Sequence, residues 1–232
     1  MTGDDESRRS YASPPCLAHE IDPAYFDPLA VDPAQARDVA RWRKAERARL
    51  LAERAALTVA QRQEAAERIT PQLEALIARR SGPLEALTIS VWWPIKAELN
   101  LRHWLVDLVA RGVKVALPVV LTPAAPLVFR RWTSECRMVQ GFWKIPVPAE
   151  GPEITPDVTL APLVGWDKQG FRLGYGGGYF DRTLAALSSR PLAIGIGLQA
   201  AEVATIFPQS HDIAMDAIVT EARVHEPNPE NR

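Results

Sequence analysis

The chemistry in this chain concentrates in the run Gly170-Phe171-Arg172-Leu173-Gly174-Tyr175-Gly176-Gly177-Gly178-Tyr179-Phe180-Asp181-Arg182. Glycines at 174, 176, 177 and 178 let backbone N–H groups converge without side-chain obstruction, and a helix following them adds its N-terminal partial positive charge. Such a loop is suited to an anion. It is neither common nucleotide motif: no G-x-x-x-x-G-K-[ST] runs through it, and Tyr179 stands where G-x-G-x-x-G needs its last glycine. A tight turn beneath a helix is the structural alternative.

Two carboxylates, Asp181 after that loop and Asp212 in Ser210-His211-Asp212, suit a hard cation that shares its shell with phosphate oxygens and water. Taken alone, Asp181 reads equally as a helix N-terminal acid and Asp212 as a turn residue. Arg41, Arg43, Lys44, Arg47, Arg49 and Arg54 crowd one segment, where a solvated cationic face is the alternative to an anion site. Cys16 and His19 form a lone C-x-x-H that lacks the second ligand pair of a structural zinc site. With Cys136 the only other thiol, 120 positions away, a reducing compartment is expected.

The elements that must position these groups alternate. Residues 32–57 are helical in pattern, with Ala34, Val39, Trp42, Ala45 and Leu50 able to share a broad face. Thr58-Val59-Ala60-Gln61 is a capping-box start, and Thr70-Pro71 offers a further cap with proline at the first helical position. Leu87–Trp92 is a strand, Leu101–Val109 an amphipathic helix preceded by Asn100, and Val113–Val120 the next strand, which together predict a right-handed β-α-β unit. Further strands are expected at 127–132, 157–164, 192–198 and 217–220, with a short helix over 181–187. The predicted class is α/β: a three-layer α/β/α sandwich around a mainly parallel sheet, with a helical N-terminal region.

The string Arg172–Arg182, preceded by Gly165-Trp166-Asp167-Lys168-Gln169-Gly170, closely resembles the signature of the 5-formyltetrahydrofolate cyclo-ligase (methenyltetrahydrofolate synthetase) family. Pro94-Ile95-Lys96-Ala97-Glu98, Gly141-Phe142-Trp143-Lys144-Ile145-Pro146 and His211-Asp212 follow the family's order and spacing. The resemblance runs from about Arg41 to Val224. It implies an enzyme that uses ATP and Mg²⁺ to close the 5-formyl group of tetrahydrofolate onto N10, giving 5,10-methenyltetrahydrofolate, ADP and phosphate. A cyclo-ligase-like paralogue that binds nucleotide or folate as a regulator, or acts on another substrate, is the alternative.

The resemblance also implies roles. Arg43 or Lys44, together with Arg47, would reach the nucleotide phosphates. Arg172, Leu173, Gly174, Tyr175, Gly176, Gly177, Gly178, Tyr179 and Phe180 match the ATP-binding loop, with Tyr175 and Tyr179 also on the folate side. Trp93, Glu98 and Trp143 match substrate-lining positions, Glu98 as the carboxylate facing the pterin. Asp181 and Asp212 match Mg²⁺ positions. Phe180 departs from the usual tyrosine by one hydroxyl.

Composition sets the outer limits. The 232 residues carry 27 Lys and Arg against 28 Asp and Glu, so no global field is available to hold a nucleic-acid backbone or an anionic membrane. No apolar run approaches the roughly 20 residues of a bilayer span, and a cytoplasmic protein is expected. The resemblance implies ATP and 5-formyltetrahydrofolate as partners, with oligomeric state left open. Residues 1–38 read as an irregular extension, packed arm or flexible leader, 39–226 as the cyclo-ligase-like α/β domain, and 227–232 as a frayed tail. The extension has eight acidic and three basic residues, whereas 41–54 has six basic and two acidic, which suggests that the arm lies against the basic helix.

Overall fold

The computed structural model describes residues 33–228. The expected arm over the first 32 residues and most of the expected tail lie outside the described residues. The chain divides after Ala40, and all of the packing below belongs to the unit from Arg41 onward.

Helix α1 (Pro33–Ala56) is arginine- and alanine-rich, and Arg49 bridges Glu46 and Glu53 on its exposed side. Its inward stripe differs from the expected apolar face. Arg43, Arg47, Leu50 and Arg54, spaced by four, three and four residues, face the domain, while Ala45 is exposed. Trp42 is half-buried edge-on to Phe207.

Helix α2 (Val59–Ser81) begins with the predicted reciprocal capping box between Thr58 and Gln61. It does not restart at Thr70-Pro71, because Pro71 lies inside the helix. The Thr70 hydroxyl donates to the Glu67 carbonyl, the acceptor that proline deprives of its usual partner. An interior proline costs about 3 kcal/mol. Ile69, Leu73, Leu76 and Ile77 are all buried around it, each contributing roughly 1.5–3 kcal/mol, so tertiary burial outweighs the local penalty.

After this come β1 (Thr88–Ser90), α3 (Arg102–Ala110), β2 (Lys114–Val119) and β3 (Val128–Trp132). A small hairpin of β4 (Met138–Gln140) and β5 (Pro146–Pro148) precedes β6 (Val158–Pro162). A second hairpin, β7 (Gly165–Trp166) and β8 (Arg172–Leu173), leads through the glycine loop into α4 (Tyr179–Ala186). The chain then completes β9 (Leu192–Ile196), β10 (Ala217–Val219) and β11 (Val224–His225).

The main sheet has the order β11-β10-β9-β6-β1-β2-β3. Its five inner strands pair in parallel and the two edge strands antiparallel, as in the expected mainly parallel sheet. Strand alternation feeds two cores. Leu160, Ile194, Ile196 and Val219 pack under α2 and α3, whereas Ala161, Ala193 and Ile218 face the side of Leu50 of α1 and Leu184 of α4. That division is the three-layer sandwich.

Candidate active site

From β1 the chain passes to β2 on one side and later returns as β6 on the other. The carboxyl ends of β1 and β6 therefore flank a topological switch point, where α/β sheets open a crevice. A cavity of about 160 Å³ lies there, lined by Arg54, Trp92, Glu98, Leu163, Val164 and Ile196 among others.

Glu98 sits on the turn that leaves β1. Lys96 takes a left-handed conformation (φ 53°), and the Glu98 amide donates to the Ile95 carbonyl at 3.1 Å, bringing the side chain back beneath the strand end. The Ile95 amide (2.8 Å) and Trp92 Nε1 (3.1 Å) both donate to Glu98 Oε2. The residue is only 6% exposed. Burial pushes its carboxyl above the ordinary value, against the opposing pull of the Ile95 amide, Arg54, Tyr175 and Trp92.

Arg54 is buried, with Nη2 donating to the Tyr175 hydroxyl and Nη1 to the Leu163 carbonyl at 3.4 Å. The Tyr175 hydroxyl also feels the charge of nearby Glu98. Burial and the Glu98 charge push Tyr175 up to about 12, so its hydroxyl keeps its proton near neutral pH. Arg54 and Glu98 thus both line the cavity, with Tyr175 held against Arg54.

The glycine loop is set by the β7–β8 hairpin. Asp167, 1% exposed, closes the hairpin turn by accepting from the Gln169 and Phe171 amides, and its other oxygen accepts from Ile206 N at 3.0 Å. A side chain at Gly165 would strike Leu50 of α1 at 2.6 Å, so close docking of α1 on this hairpin requires glycine there. Gly178 enters α4 at φ 62°. The amides of Gly176, Gly177 and Gly178 donate to no protein acceptor among the described residues.

Arginines surround the loop. Arg47 Nε donates to the Gly174 carbonyl at 2.6 Å, and Arg182 to the Gly177 carbonyl. Arg172 Nη2 pairs with Asp181 Oδ2 at 2.8 Å, and the Ile213 amide donates to Asp181 Oδ1 at 3.3 Å. Arg43 grips Asp212 through two nitrogens and also donates to the carbonyls of Ile206 and Phe207. Burial lowers the Arg47 guanidinium from its ordinary value, as does neighbouring Arg43, and burial lowers Arg172 despite Asp181 and Asp212 nearby. Crowded, partly desolvated cations of this kind are relieved by a bound anion.

Among first-helix candidates, Arg43 and Arg47 meet the glycine loop and the Asp212 segment, whereas Lys44 is exposed. Tyr179 and Trp143 meet edge-on, with ring centroids 5.4 Å apart, at the outer rim of the loop. Trp93 lies against Trp132 with Arg102 over its ring, and it is Trp92 that lines the cavity.

The 5-formyltetrahydrofolate cyclo-ligase family model matches residues 39–221. The chain belongs to that family. It is an enzyme of the cyclo-ligase type, similar to the 5-formyltetrahydrofolate cyclo-ligases of Haemophilus influenzae (30% identical over 170 residues, 70% of this chain and 88% of the relative) and of Escherichia coli K12 (32% over 151 residues, 61% and 81%). The fold resembles that of Aquifex aeolicus 5,10-methenyltetrahydrofolate synthetase, with TM-score 0.67, 23% identity, and coverage of 79% of this chain and 92% of that one. A Mycoplasma pneumoniae 5,10-methenyltetrahydrofolate synthetase gives TM-score 0.62 at 23% identity, covering 77% and 98%.

Beside the glycine loop, Asp181 and Asp212 are carboxylates that could hold a metal. The Ile213 amide on Asp181 brings the backbone next to Asp212 against the other carboxylate. Among the described residues no cluster of three or more His, Cys, Asp or Glu side chains could hold a metal ion. A pair of carboxylates fits Mg²⁺, which takes one or two such ligands and completes its octahedron with phosphate oxygens and water. Arg54 and Trp92 line the cavity, and neither was among the site residues expected from the sequence. The signal for Arg54 was present, since it continues the stripe of Arg43 and Arg47 at helical spacing. Among the described residues, no helix is long and apolar enough to cross a membrane.

Proposed function

We propose that this cyclo-ligase family member uses ATP and Mg²⁺ to convert 5-formyltetrahydrofolate to 5,10-methenyltetrahydrofolate, releasing ADP and phosphate. The observation that carries the reading is the meeting of two half-sites at the switch point: an arginine-lined glycine loop suited to phosphates, and beside it a buried cavity whose carboxylate can accept from the paired N–H donors of a pterin.

A formamide oxygen is a poor leaving group. In the proposed reaction it attacks the γ-phosphorus of ATP, the bond to the β-phosphate bridge breaks, and ADP departs. The N10 lone pair then attacks the formyl carbon of the resulting iminium phosphate. N10 loses its proton, the C–O bond breaks, phosphate leaves, and the methenyl amidinium remains.

Catalysis of this kind is mostly positioning and charge neutralisation. Arg47 and Arg172, with the open amides of Gly176, Gly177 and Gly178, would hold the phosphates. Arg43 is committed to Asp212 and the carbonyls of residues 206 and 207, so its part is to hold Asp212 in place. Mg²⁺ on Asp181 and Asp212 would supply charge neutralisation to the phosphate oxygens. Glu98 would receive the pterin, Tyr175 would hold its neighbouring wall, and Trp143 with Tyr179 would cover the outer side.

The test is the absorbance of the methenyl product in the near ultraviolet. The purified chain is expected to form it from 5-formyltetrahydrofolate only with ATP and Mg²⁺ both present. No product at saturating concentrations of all three would reject the proposal and favour the regulatory paralogue.

A further inference from the structure

A pterin presents its pyrimidine edge in a fixed order: the 2-amino donor, the N3–H donor, then the 4-oxo acceptor. A carboxylate can accept from the first two but repels the third. A site that seats the edge squarely therefore needs a hydrogen-bond donor beside its carboxylate. The cavity that holds Glu98 also holds Arg54, 8% exposed, on its lining. Arg54 spends Nη2 on the Tyr175 hydroxyl and Nη1 on a long contact to the Leu163 carbonyl. Its Nε is buried with no hydrogen-bond partner. Each terminal nitrogen carries a second N–H beyond the contact it makes, and these are the donors that Arg54 can offer to a ligand acceptor in the cavity it lines.

We propose that Arg54 is a specificity-determining residue that donates to the 4-oxo group of the pterin while Glu98 accepts from the adjacent N–H groups. This rests on the assignment of Glu98 to the pterin made above. Two properties of arginine suit the task. Its planar fork can bind Tyr175 and a ligand oxygen together, and it stays charged under any working condition, so the donor is always present. Selectivity follows because a 4-amino group would set donor against donor, and a site built around one hydrogen bond discriminates strongly against an analogue that cannot make it.

The experiment is calorimetric titration, without ATP, of 5-formyltetrahydrofolate and its 4-amino-4-deoxy counterpart into the wild-type chain and the variants Arg54→Met, Arg54→Lys and Glu98→Gln. The wild type is expected to prefer the 4-oxo compound. Arg54→Met is expected to weaken the 4-oxo compound about 10- to 100-fold while leaving the 4-amino compound unchanged or tighter, so that the preference collapses. Arg54→Lys keeps the charge but not the planar donor set, and should lower the preference too. The ratio of two ligands on one sample does not depend on how much of a variant is folded, and the lysine variant decides the matter if the methionine variant does not fold. An unchanged ratio in both variants overturns the role of Arg54. If Glu98→Gln leaves both affinities unchanged, the placement of the pterin itself falls, and the proposal falls with it.

Discussion

Arg43 and Asp212, 169 residues apart, form a two-point ion pair with Nη1–Oδ1 at 3.2 Å and Nη2–Oδ2 at 2.5 Å. The remaining Arg43 contacts go to the carbonyls of Ile206 and Phe207, so one side chain fastens the whole 206–212 segment to α1. Arg43→Met is expected to cost about 1.5–3 kcal/mol of stability, the range for hydrogen bonds to charged groups, and to weaken Mg·ATP through displacement of Asp212. Arg43→Lys should not rescue either effect, because an ammonium cannot reproduce the planar fork. Urea denaturation and nucleotide titration at several Mg²⁺ concentrations measure both. Full nucleotide affinity in Arg43→Met would show that Asp212 needs no such anchor.

The Arg172–Asp181 pair is more deeply placed, with side chains only 6% and 13% exposed. Removing one partner strands the other in a low-dielectric site. Asp181→Ala is expected to cost about 3–5 kcal/mol, whereas replacing both residues with apolar ones of similar size should cost much less. A denaturation double-mutant cycle gives the comparison. Additive losses from the two single changes would mean that the pair is not coupled.

Glu98 links binding to pH. Its carboxyl holds its proton more tightly in the folded chain than at the ordinary value of 4.5, because burial disfavours the charge. The fold is therefore favoured by this group below about pH 4.5 and loses that contribution as pH rises through the raised value. Above that raised value the ionised carboxylate is a net cost to the fold. Glu98→Gln keeps an oxygen for Trp92 and Ile95 and removes the charge, so its melting temperature should exceed wild type near neutral pH. The gap should narrow on acidification. Folate binding should show the opposite trend, weaker in the variant and, in wild type, lost as the carboxyl takes up its proton. Thermal melts and folate titrations across pH test both, and a variant less stable than wild type at neutral pH would contradict the assigned cost.

Trp143 is 60% exposed yet sits at φ 53°, followed by Lys144 at φ 59°. Left-handed conformations cost ordinary residues about 1–2 kcal/mol apiece, and an exposed ring recovers little of that through burial. Trp143→Ala should therefore change stability by less than about 1 kcal/mol while clearly weakening folate, since the ring meets Tyr179 at the rim of the loop. A large loss of stability with intact binding would make Trp143 a packing residue instead.

Much of the framework is legible in local pattern. Apolar runs of strand length place the parallel strands, the Thr58/Gln61 box starts α2, and four clustered glycines mark the loop before α4. Local pattern misleads where a distant partner outweighs it. Pro71 reads as a helix start, but the burial of Ile69, Leu73, Leu76 and Ile77 carries α2 through it. On α1, spacing predicts an inward apolar face; Leu50 of that face is buried, but Arg43, Arg47 and Arg54 share the inward stripe with it. Arginines can face inward there because acceptors on remote segments, Asp212, Gly174, Leu163 and Tyr175, are waiting for them.

By itself the sequence determined the family, the α/β class and the residue types at the glycine loop, since motif spacing and hydrophobic period are properties of neighbouring residues. Only the tertiary structure decided that Arg43 rather than Lys44 turns inward, that Trp92 rather than Trp93 lines the cavity, and that Arg54 shares that cavity with Glu98. Those choices depend on which strand end and which loop meet across the sheet's switch point, where hydrogen-bond partners lie more than 100 positions apart in the chain.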